Sequence, residues 1–166
     1  MRFILGLCVV AGCTLCGSAM AGAQRRRVRL LESVINGLRL LKLHTVSMFE
    51  PLPQALGATG CAVLEGVGSQ MTPGASAAQA WEGFKKREGR RGGGIDALSP
   101  EDVRALDELF SLLGESGRDQ QEIALGNACA ALSVQLENAR RRAAEADRLY
   151  VSLGSLIGLM IALVMI

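Results

Sequence analysis

Arg140-Arg141-Arg142-Ala143-Ala144-Glu145-Ala146-Asp147-Arg148 runs directly into Leu149-Tyr150-Val151-Ser152-Leu153-Gly154-Ser155-Leu156-Ile157-Gly158-Leu159-Met160-Ile161-Ala162-Leu163-Val164-Met165-Ile166, and this junction decides the fold. The eighteen residues from Leu149 to Ile166 carry no charged side chain. At ~1.5 Å rise per residue, such a helix is about the shortest that crosses a hydrocarbon core of about 30 Å. No proline occurs from Asp119 onward, and Ile123, Ala128, Leu132, Leu136, Ala139, Ala143 and Ala146 recur at helical spacing. A single helix is therefore expected to leave a polar domain and continue into a membrane span over residues 149–166.

The opposite end has the same design. Phe3 to Ala23 carries no charge and is long enough to span a bilayer. Arg25, Arg26, Arg27 and Arg29 follow it, whereas only Arg2 precedes it. Arg140, Arg141, Arg142 and Arg148 stand before the second run. Basic residues are retained on the cytoplasmic side, so both ends hold residues 24–148 in the cytoplasm as the middle domain of a two-pass protein. Two features of the first run also fit export: Ala21-Gly22-Ala23 resembles a signal-peptide cleavage site, and Val10-Ala11-Gly12-Cys13 resembles a lipoprotein box. The arginines just past them oppose it. Gly154 with Gly158, and Gly17 with Ala21, are small-residue pairs that permit close helix packing inside a membrane.

Charge is segregated along the chain. Apart from Arg2, all of it lies between Gln24 and Arg148, where seventeen basic residues face sixteen acidic ones. That balance, with only 4% aromatic residues, gives no electrostatic basis for binding nucleic acid. Of five cysteines, Cys8, Cys13 and Cys16 fall in the first apolar run, and Cys61 with Cys129 suggests no disulfide framework.

The middle domain reads as all-α, a helical bundle. Arg27 to Phe49 carries Leu31, Val34, Ile35, Leu38, Leu41 and Thr45 at helical spacing, with Gly37 its one interruption. Pro51 and Pro53 end that helix, and Leu52, Ala55 and Leu56 begin a short one. Ala62 to Met71 is a weaker helical stretch, holed by Gly66 and Gly68. Ser76 to Arg87 is the next helix, with Trp81 and Phe84 on a buried face. Gly89 to Gly94 is a loop that lacks the lysine ending and preceding strand of a phosphate-binding loop. Ser99-Pro100-Glu101-Asp102 is a helix start with an N-cap serine, proline at N1 and acids in the first turn. Leu106, Leu109, Phe110 and Leu113 form its apolar stripe, and Gly114 ends it.

Catalytic chemistry finds little support. The single histidine, His44, has no second ligand at metal spacing. Cys13 and Cys16 have redox spacing but lie inside an apolar run. The expectation is a non-enzymatic binding or assembly protein with no cofactor, no metal and no small-molecule substrate. A signalling protein dimerising through Ile123 to Ala146, and an exported or lipid-modified envelope protein, are the alternatives.

Four segments carry a resemblance. They are Phe49-Glu50-Pro51-Leu52-Pro53-Gln54-Ala55-Leu56, Ala78 to Trp81, Leu113-Gly114-Glu115-Ser116-Gly117-Arg118-Asp119-Gln120-Gln121, and Leu153-Gly154 with Gly158. In order and position they resemble the stage III sporulation protein AB family of endospore-forming bacteria. Gly117-Arg118 before Asp119, and Gln54 in place of an acid, depart from the family pattern. The resemblance implies a subunit of the transenvelope complex between mother cell and forespore, set in the mother-cell membrane facing the forespore. It also implies likeness to the cytoplasmic domains of type II secretion platform proteins, with the complex's other subunits and its cytoplasmic ATPase as partners. Pro51, Leu52, Ala55, Leu56, Trp81, Leu113, Gly114, Asp119 and Gln121 are the positions it singles out.

Overall fold

The structure, a computed structural model, describes residues 22, 24–89, 94–114 and 117–165; the side chains of Arg118 and of residues 147–165 lie outside it. The described elements are helices: α1 over residues 24–42, continued by a π turn at Leu43–Ser47, α2 at Leu52–Gly57, α3 at Ala62–Gly68, α4 at Ala77–Gly89, a 3-10 turn at Gly94–Ala97, α5 at Pro100–Leu112 and α6 at Arg118–Met165. No strand occurs among the described residues. The chain divides into two compact units, Arg29–Glu137 and a second composed of Met1–Val28 with Asn138–Ile166.

Unit Arg29–Glu137 is a helical bundle. In α1, Leu31, Val34, Ile35, Leu38 and Leu41 are buried along the face that their spacing predicts. Gly37 does not interrupt this helix. A Cβ there would lie 2.7 Å from Leu64 Cδ1 and 2.8 Å from Cys61 Cβ, so glycine lets α3 approach the α1 backbone. Gly66 has the same function one layer on, because a Cβ there would overlap the Phe84 ring of α4. The two glycines read from sequence as weakenings are points of close helix contact.

The short helices are set by their ends. In α2, Pro53 occupies the first turn, where its missing N–H costs nothing, and Ala55 with Leu56 is buried. Ahead of α4, the Ser76 hydroxyl accepts from Gln79 N while Ser76 N donates to Gln79 Oε1, each at 3.3 Å. The start of α5 is a capping box. Ser99 Oγ accepts from Asp102 N at 3.3 Å, and Asp102 Oδ2 accepts from Ser99 N at 2.8 Å. That second bond lets Asp102 be fully buried, at 0% exposure. A backbone hydrogen bond, followed by the Ser99 hydroxyl, holds the neighbouring Glu101 carboxyl below its ordinary pKa.

Helix α6 is 48 residues long. Ala124, Leu125, Ala128 and Leu132 are buried, and Leu136 is half-buried. Ile123, expected on the buried stripe, is instead 62% exposed. The inward face begins at Ala124-Leu125, and an alanine-rich pattern fits either register.

In the second unit, Arg25 and Arg26 are exposed, while Arg27 is only 8% exposed. Ala139 is fully buried, Arg140, Arg141 and Arg142 are exposed, and Ala143 with Ala146 is half-buried. Among the described residues, no helix is long and apolar enough to cross a membrane. The expected span over residues 3–23 lies outside them apart from Gly22, as do the side chains of the expected span over 149–166, including Gly154 and Gly158. The backbone of residues 149–165 is helical.

Candidate functional site

The segment Phe49–Leu56 opens where α1 closes. The π turn widens the last turn of α1, and Met48 N donates to Leu43 O at 3.2 Å. Glu50 N then donates to His44 O at 3.1 Å, and His44 Nδ1 pairs with Glu50 Oε2 at 2.9 Å. Between these anchors Phe49 is held at φ +59°, the one positive φ of a non-glycine residue among the described ones. A bulky side chain is rare there, because its Cβ crowds the following carbonyl. Phe49 is nonetheless 61% exposed. Pro51, which is exposed, starts α2, and its carbonyl accepts from Gln54 N and Ala55 N at 3.0 Å each. Thr59 Oγ1 donates to Leu56 O at 2.8 Å just past the end of α2.

The segment Leu113–Gln121 is the α5–α6 turn, of which Glu115 and Ser116 lie outside the described residues. Leu113 is buried, and its N–H donates to Leu109 O at 3.1 Å. Gly114 adopts φ +87°, which reverses the chain without a Cβ penalty. A Cβ at Gly114 would lie 3.8 Å from Leu52 Cδ2. Leu52 and Gly114, 62 positions apart in the sequence, therefore meet. Gln121 N donates to Gly117 O at 3.0 Å, and Asp119 is exposed in the first turn of α6, where a carboxylate suits the helix dipole. Lys42 Nζ pairs with Glu122 Oε1 at 3.0 Å and ties the end of α1 to the start of α6. As an exposed pair it contributes ~0–1 kcal/mol.

Trp81 belongs to the α4–α5 seam. Its ring stacks on Phe110, with centroids 4.9 Å apart, and on Phe84 at 6.0 Å. Its Nε1 donates to Asp107 Oδ1, which also accepts from Lys85 Nζ at 2.6 Å. Lys85 lies 5.6 Å from the Trp81 ring centroid. Burial opposes the charge on Lys85, but bonding to Asp107 and Glu82 outweighs it and raises the lysine above its ordinary pKa. Trp81 is thus an interior anchor whose polar edge is satisfied at the seam.

No group of three or more potential metal-ligating His, Cys, Asp or Glu side chains occurs among the described residues. His44 and Glu50 are engaged with each other. Cys61 is buried, and burial pushes the half-buried Cys129 thiol up, away from the nucleophilic thiolate. A cleft of ≈ 290 Å³ has mainly apolar walls, including Leu30, Val63, Phe84 and Ile95, with Arg87 and Glu88 as its charged members.

What sequence reading missed is a cluster of exposed apolar residues around the two segments: Leu43, Met48, Phe49, Leu112 and Ile123. Their signal is faint. Met48 and Phe49 were readable only as the tail of a helical stripe that Pro51 cuts off.

The chain is similar to a solved structure of Stage III sporulation protein AB (SpoIIIAB), at TM-score 0.61 and 19% identity over 72% of this chain and 97% of the other. At that identity the likeness shows the fold. No curated protein matches. The family described as Stage III sporulation protein AB matches residues 2–166, essentially the whole chain. The chain belongs to the stage III sporulation protein AB family, and its role lies in sporulation.

Proposed function

We propose that the chain is a non-enzymatic scaffold subunit, anchored at both ends in the mother-cell membrane facing the forespore, within the secretion-like complex that joins the two cells. The observation that carries this reading is α6. It forms part of the bundle at Leu125 and Leu132 and continues, helical throughout, into the uncharged run 149–166. Backbone hydrogen bonds that run on along α6 would carry motion through it. The arginine clusters on either side of the middle domain favour its placement in the cytoplasm. There it would meet the other subunits, including the ATPase, and a push or rotation of the bundle would reach the membrane through α6.

The test is an insertion of three glycines between Arg142 and Ala146. Each glycine costs about 1 kcal/mol of helix propensity, enough to break the helix locally while leaving the bundle intact. Spore yield is expected to fall at least tenfold at unchanged protein level. Wild-type yield would contradict coupling through the helix.

A further inference from the structure

Five of the exposed large apolar side chains converge at one end of the bundle in unit Arg29–Glu137. Leu43, Met48 and Phe49 come from the end of α1 and its turn, Leu112 from the end of α5, and Ile123 from the start of α6. Two contacts bring these elements together: the Lys42–Glu122 pair and the approach of Leu52 to Gly114. Among the described charges at this end, Glu50, Glu108, Asp119 and Glu122 outnumber Lys42 and Arg39, with Glu122 paired to Lys42 and Glu50 to His44.

Phe49 makes this more than a chance exposure. Its αL backbone is fixed by the bonds on either side of it, from Met48 N to Leu43 O and from Glu50 N to His44 O. Glycine would fill this position without strain, yet a phenylalanine that is 61% exposed occupies it. A strained, presented aromatic ring within an apolar group is how an interface anchor is built.

We propose that this end of the bundle is a docking surface for a partner protein that offers an apolar socket edged by lysine and arginine. The sign of the charge selects that occupant. An anionic lipid surface would be repelled by the acidic rim. A second copy, paired through the same face, would set acid against acid. The proposal rests on the scaffold reading above, for which it supplies the partner-facing surface.

The test uses the full-length chain in sporulating cells. Phe49→Gly removes the ring and relieves the backbone. Its thermal midpoint is expected to equal or exceed that of the wild type, while spore yield falls by ~10-fold or more, as for the loss of an interface anchor. Asp119→Lys is expected to lower spore yield in the same direction. A photoreactive phenylalanine at position 49 is expected to capture one other protein through a peptide rich in apolar and basic residues. The same group at the exposed Gln79 of α4 should not. Wild-type yield from Phe49→Gly, a lowered midpoint, capture of a second copy or of lipid, or no capture at all would each overturn the docking surface. A strain lacking the chain separates the two readings. If it sporulates normally, the scaffold role itself fails; if it does not while Phe49→Gly does, only the docking surface fails.

Discussion

Ser99 shows how much a single side chain can organise. Its hydroxyl accepts from Asp102 N, and its own N–H donates to the buried Asp102 carboxylate in return. Ser99→Ala removes the first bond and leaves the second. Loss of such a cap costs about 1 kcal/mol, and an unfolding titration in urea should show a midpoint lowered to that extent with an unchanged slope. This feature was legible in the sequence, because Ser99-Pro100-Glu101-Asp102 encodes it within four neighbours. The partners of Trp81 were legible only in kind. That it faces the interior follows from its spacing with Phe84, whereas its bond to Asp107 joins residues 26 positions apart. The φ of Phe49 is set by hydrogen bonds on both sides of it, and no local residue preference announces it.

At the scale of elements, the glycines separate what periodicity reveals from what it hides. Inside a helix, glycine costs ~1 kcal/mol relative to alanine, so Gly37 and Gly66 read as defects. The facing helices reverse that reading, since the contacts at Gly37 leave no room for a methyl group. Gly37→Ala therefore sets a propensity gain of about 1 kcal/mol against overpacking of typically 1–3 kcal/mol. The net expectation is a destabilised protein, measured as a lowered thermal midpoint; a raised midpoint would show that α1 and α3 separate easily. Gly126, inside α6 with nothing within 4 Å of an added Cβ, is the matched control. The same limit explains Ile123. Helical spacing in the alanine-rich α6 fits more than one face, and the choice is made by burial of Leu125 and Leu132 in the bundle. Element identity was thus readable along the chain, while the meeting of α2 with the α5–α6 turn, on which the candidate surface depends, was not.

At the scale of the whole molecule, the account turns on where the middle domain sits. The family match establishes a role in sporulation, and the bundle at Arg29–Glu137 supplies a helical body that exposes Leu43, Met48, Phe49, Leu112 and Ile123. A scaffold that meets a cytoplasmic motor must keep that body in the cytoplasm. The most direct measurement is therefore topology: a single cysteine at Gln79, exposed on α4, in an otherwise cysteine-free chain, challenged in intact cells with a membrane-impermeant thiol reagent. The account predicts protection until the membrane is opened, followed by full labelling. Labelling in intact cells would place the bundle outside the cytoplasm and contradict both the anchoring scheme and direct contact with a cytoplasmic ATPase.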